Sequence, residues 1–100
     1  MGKWNTSNLR AAYEMFSHAT SFNVDISNWD TSKVTSMSYM FYNASIFDQD
    51  LSHWDLSSTN YMSFMFTNSD LSKENNCKMV TNNEYFKSFM SSLGLNYTCP

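Results

Sequence analysis

The spacing of the tryptophans constrains this chain more than any other feature. Trp4, Trp29 and Trp54 lie 25 residues apart, and aligning the sequence on them without gaps brings whole blocks into register. Between 4–28 and 29–53 the identities are Trp4/Trp29, Thr6/Thr31, Ser7/Ser32, Met15/Met40, Phe16/Phe41, Ala19/Ala44, Phe22/Phe47, Asp25/Asp50 and Ser27/Ser52. The likeness continues from Trp54 to Asn68 and then stops. A period of this length implies one supersecondary unit that cannot bury its apolar face alone and stacks on its neighbours.

Within a unit, Val34, Met37, Met40, Phe41 and Ala44 recur at helical spacing, with Thr35 or Ser36 available as an N-cap. This predicts a short helix. Residues 47–56 carry no such stripe and form an extended polar and apolar mixture, which predicts a short strand. The expected fold is therefore an α/β solenoid, a leucine-rich-repeat-like array of about 2.6 coils with strands paired in parallel. Its units are 4–28, 29–53 and a degenerate 54–78, with the repeats over 1–75 and a cap over 76–100. In the cap, Tyr85, Phe86, Phe89, Met90 and Leu93 share one face of an amphipathic helix that begins at Asn82–Asn83 and stops at Gly94. The N-terminal end has no such cover, so the coil around Trp4 should present apolar surface and an unpaired strand edge.

A chain of 100 residues holds one domain and leaves no room for a separate catalytic one. Six Lys and Arg in a net charge of −3 provide no electrostatic footprint for nucleic acid or anionic lipid. No window approaches the roughly 20 apolar residues of a membrane span. The expected partner is a protein, another copy or neighbouring repeats included, or a glycan. The first ten residues lack the apolar stretch of a signal peptide. Even so, a surface rich in Ser, Thr and Asn fits an extracellular, cell-surface or virion setting better than a cytoplasmic one.

The string MFYNASIFDQDLSHWDLSSTNYMSFMF resembles the roughly 25-residue BspA-like repeat of bacterial surface proteins and mycoplasma lipoprotein-associated repeats. Residues 4 to 68 carry the resemblance. It implies a repeat-built, non-catalytic module of surface or adhesion type, and no catalytic residue to carry over.

The Met and Phe positions (Met15, Phe16, Met37, Met40, Phe41, Met62, Met65, Phe66) read as core. Trp4, Trp29 and Trp54 admit two readings, because Ile26 to Trp29 and Leu51 to Trp54 are three apart and would face opposite sides of a strand. Either a corner turns each ring inward, or the rings form an exposed stripe able to hold a partner. Asp30 and Asp55 join them as a candidate binding or stacking surface. Stacked carboxylates need compensation, by turn amides or by a cation such as Ca²⁺. Turn capping is the ordinary solution, so no metal and no cofactor is expected. Cys77 and Cys99 bracket the capping helix, and a disulfide between them would stabilise the cap by roughly 3 kcal/mol; two free thiols are the alternative. His18 and His53 occupy unmatched repeat positions and no nucleophile–base pair is evident, so the chain is not expected to be an enzyme. The expected function is a binding module, or alternatively a structural block that packs through its uncapped N-terminal coil in a larger assembly such as a virion or cell coat.

Overall fold

The computed structural model describes residues 4–92, and side chains as far as Phe89. Among the described residues no strand forms, and the regular elements are two short helices, α1 (Lys73–Asn82) and α2 (Glu84–Ser92). The expected α/β solenoid of strand-plus-helix coils is therefore corrected. Residues 34–44 are not a helix, and residues 47–56 are not a strand.

What replaces them is a run of tight turns. Through the first unit and into the start of the next, the N–H groups of Met15, Ala19, Phe22 and Trp29 donate to carbonyls three residues back, at 3.0–3.2 Å. From the second unit into the third, Met40, Ala44, Phe47 and Trp54 do the same at 3.0–3.1 Å. Successive turns closing over three residues bring every third or fourth side chain to one side. That spacing is also the one a helix produces, which is why the sequence reads as helical here.

The turns differ from a helix at residues 14 and 18 and their equivalents. Glu14, Tyr39 and Phe64 sit at φ 56–58°, and His18, Asn43 and Asn68 at φ 57–63°. Each is the third residue of a hydrogen-bonded turn, the position that type II geometry places at positive φ. These left-handed residues interrupt any helix and swing alternate N–H groups to one side.

Those N–H groups join the units. Ala12, Glu14, Phe16 and His18 donate to the carbonyls of Ser36, Ser38, Met40 and Tyr42. Met37, Tyr39, Phe41 and Asn43 donate in turn to Tyr61, Ser63, Met65 and Thr67, all eight bonds at 2.7–3.0 Å. An extended strand would expose N–H and C=O from the same residue on one edge. Here the edge gives donors only from residue 12 to 18 and from 37 to 43, and it accepts only just before them, at Arg10 O and Thr35 O, where the parallel bridges of Ala11, Ser36 and Tyr61 lie.

Between the turn faces, aromatic rings stack 25 residues apart. Phe16, Phe41 and Phe66 form one column with centroids 5.8 and 5.6 Å apart, and Phe22 sits 5.8 Å from Phe47. Val34, Met37, Met40, Phe41, Ala44, Phe47 and Leu51 are fully buried. The core assignment of the Met and Phe positions thus holds in the middle unit, while Met15 in the first is 36% exposed.

The third unit gives way at Ser72, whose N–H donates to Asp48 Oδ1 at 2.8 Å. Ser72 Oγ accepts from the N–H of Asn75 and caps α1, a helix the sequence reading missed because its apolar stripe is thin. Asn83 links α1 to α2. Its Oδ1 accepts from the N–H of Tyr85, and its Nδ2 donates to the carbonyls of Ser52 and Trp54 at 3.2 and 2.8 Å. Phe86, fully buried, closes the Phe column 6.1 Å from Phe66. The capping helix expected from Asn83 onward is present as α2, and Leu93 and Gly94 lie outside the described residues.

Two outcomes follow from this packing. Phe41→Ala removes the central ring of the column and should lower unfolding stability by about 3–5 kcal/mol, measured by urea denaturation. Asp25, Asp30 and Asp55 titrate below the usual carboxylate range because each accepts hydrogen bonds from a serine two residues on. For Asp48 burial pushes the other way, and the N–H of Ser72 with the Asn75 amide outweighs it. The ionised carboxylates therefore favour the folded state: their contribution is complete above the ordinary Asp pKa and is lost as pH falls through the lowered folded values. Urea midpoints should be flat near neutral pH and fall steadily in acid.

Candidate functional site: an exposed aromatic column on the turn face

Of the two readings of the tryptophans, the structure has the rings of Trp29 and Trp54 turned inward. Trp29 and Trp54 are 4% and 2% exposed and stack 6.4 Å apart, and Trp54 Nε1 donates to the buried carbonyl of Ile26. The turns that close Trp29 onto Ile26 and Trp54 onto Leu51 put both members of each pair inside. Trp4 continues the stack at 6.1 Å but is 54% exposed at the N-terminal end, where Phe16 and Phe22 are nonetheless buried.

Asp30 and Asp55 are exposed and hold their own turns. Asp30 Oδ1 accepts from the N–H and Oγ of Ser32, and Asp55 Oδ1 accepts from the N–H of Ser57. Asn5 plays the same part toward Ser7. These are Asx turns repeated once per unit. Among the described residues, no three His, Cys, Asp or Glu side chains gather as a metal site would require. Cys77 lies half-buried on α1, and among the described residues no cysteine is free. Cys99, its expected partner, lies outside the described residues.

The left-handed residues instead build a surface that the sequence reading did not single out. Tyr39 and Phe64 share a repeat position, and their rings stack 5.2 Å apart. Tyr13 meets Tyr39 edge-on at 6.0 Å, Tyr42 packs 5.3 Å from Tyr39, and His18 meets Tyr42 at 5.5 Å. Tyr13 and Phe64 are more than half exposed, and Tyr61 beside them is the most exposed large apolar residue of the described chain at 64%. Neighbouring amides stiffen the face: Asn68 Nδ2 donates to Asn43 Oδ1 at 2.8 Å, and Asn43 Nδ2 lies 3.2 Å from His18 Nδ1.

This placement is energetically unfavourable in two respects. A left-handed backbone costs an ordinary residue about 1–2 kcal/mol, and Tyr39 and Phe64 occupy it where Gly or Asn would not strain. Exposed rings also forgo the stabilisation of burial. Asn43 and Asn68, by contrast, are the residue type suited to their positions. The inter-unit hydrogen bonds hold the strained backbone in place, at Glu14 as at Tyr39 and Phe64. The missed signal lay in the aromatics themselves: Tyr13, Tyr39, Tyr42, Tyr61 and Phe64 cluster between the core positions of each unit.

Replacing Phe64 tests the strain directly. Phe64→Gly and Phe64→Ala lose the same ring, yet the glycine variant should be the more stable by about 1 kcal/mol in urea, the reverse of the usual order.

Among the described residues no helix is long and apolar enough to cross a membrane. No curated protein and no solved structure matches the chain. The match that does exist covers residues 1–92, and by it the chain belongs to the family described as Mycoplasma protein of unknown function, DUF285.

Proposed function

We propose that this chain is a non-catalytic repeat module that binds a protein or a glycan through the exposed aromatic column of Tyr13, Tyr39 and Phe64. The observation that carries the reading is a run of contacting rings from exposed Tyr13 over half-buried Tyr39 to exposed Phe64, the last two on left-handed backbone that disfavours them. Rings of this kind supply large contact area at low entropic cost, and Tyr is enriched where partners dock. The family match, together with the 25-residue spacing of Trp4, Trp29 and Trp54, supports reading the units as BspA-like repeats of surface-protein type. Adhesion is the corresponding role.

The triple variant Tyr13→Ser/Tyr39→Asn/Phe64→Gly removes the rings and places tolerant residues at the two left-handed positions. Wild type and variant are each screened on a glycan array and against a phage-displayed random peptide library. Ligands should be retained by the wild type alone, with circular dichroism unchanged. Ligands held equally by both proteins would place the binding surface elsewhere.

The expected Cys77–Cys99 pair also has a direct check. Iodoacetamide should label neither thiol until the protein is reduced, and reduction should lower the thermal midpoint.

A further inference from the structure

The hydrogen-bond ladder between units has a direction. From residue 12 of the first unit onward four N–H groups donate to the second unit, and the second donates four to the third; only at the start of the row do bonds return, from Thr35 N–H to Arg10 O and from Asn60 and Tyr61 N–H to Thr35 O. The two ends of the stack are consequently left with rows of opposite kind. At the start, the carbonyls of Ala11, Tyr13, Met15 and Ser17 occupy the positions that Ser36, Ser38, Met40 and Tyr42 use as acceptors, and no described residue donates to them. At the other end, the N–H groups of Met62, Phe64, Phe66 and Asn68 match the donors Met37, Tyr39, Phe41 and Asn43, and no described residue accepts from them.

Both rows lie partly in solvent, with Met62, Phe66 and Ser17 half-buried. Ala11, Tyr13 and Met15 are exposed along the first, and Tyr61, Ser63, Phe64, Thr67 and Asn68 along the second. An ordinary strand edge alternates donors and acceptors, so it can pair with a copy of itself. A row of one kind cannot. Two N-terminal edges would set carbonyl against carbonyl, which excludes a ladder between the first coils of two copies.

We infer that the donor row of Met62, Phe64, Phe66 and Asn68 pairs with the carbonyl row of Ala11, Tyr13, Met15 and Ser17 in a second copy of this chain, head to tail. The two rows agree in number, order and residue spacing, and the same pairing is made twice inside each molecule. Phe86 over Phe66 keeps the two cores from meeting squarely, so the copies join along the turn edge. Such a contact is heterologous, so it joins more than two copies, in open chains or in rings. Tyr13 and Phe64 belong both to this edge and to the aromatic column, so the contact is tested on the chain alone, without ligand.

Opposed positions across this contact are Ser63 of one copy and Tyr13 of the next. Their internal counterparts, Ser38 and Ser63, are already in hydrogen-bond contact at 3.2 Å. Light scattering of the full chain over a micromolar to millimolar series should show mass rising with concentration. The doubly exposed variant Tyr13→Lys/Ser63→Lys should stay monomeric, and Tyr13→Lys/Ser63→Glu should regain association. In NMR spectra of the wild type, the amide signals of Met62, Phe64, Phe66 and Asn68 should shift with concentration. A wild type that stays monomeric throughout overturns the inference, and so does a double-lysine variant, folded by circular dichroism, that associates as the wild type does.

Discussion

Everything in this fold hangs on how alternate N–H groups are aimed. A residue at positive φ in each of two turns per unit directs four donors toward the following unit, and four carbonyls of that unit receive them. Because the pairing is made by turns and not by extended chain, the units stack without strands. The Phe and Trp columns then fill the interior at ring separations of 5.6–6.4 Å, adding burial to a ladder that alone would be marginal.

The same constraint shapes both ends and one face. It leaves the stack with a donor edge and an acceptor edge, so its ends differ in chemistry as well as in cover. Helices α1 and α2 answer the C-terminal side through Asn83, whose amide satisfies the carbonyls of Ser52 and Trp54, and through Phe86. On the turn face, the left-handed positions place Phe64 outside and Tyr39 half-buried beneath it. Scaffold and surface therefore come from one backbone device, with the strain of the surface met by the hydrogen bonds of the scaffold.

Part of this was legible in the residues alone. The 25-residue period, the core role of Met37, Met40 and Phe41, and the helix beginning beside Asn83 all follow from spacing and side-chain type. The secondary structure of the repeat did not follow. Val34, Met37, Met40, Phe41 and Ala44 satisfy a helical stripe and a chain of three-residue turns equally well, and no glycine marks the positive-φ positions. Spacing also left the tryptophans open between an inward corner and an exposed stripe; the turns onto Ile26 and Leu51 put Trp29 and Trp54 inside, while the exposed rings hide among less regular tyrosines.

By itself, then, the sequence determined that equivalent residues would stack, because a period of 25 with recurring Trp and Phe has no other way to bury them. Only the tertiary structure decided which way each backbone amide points. Handedness at Glu14, Tyr39 and Phe64 is imposed by bonds to a neighbouring unit, since the residues themselves disfavour it. A preference that exists only in the presence of the neighbour cannot be read from one unit's sequence, and it is this preference that chooses turns over strands, and outward rings over buried ones.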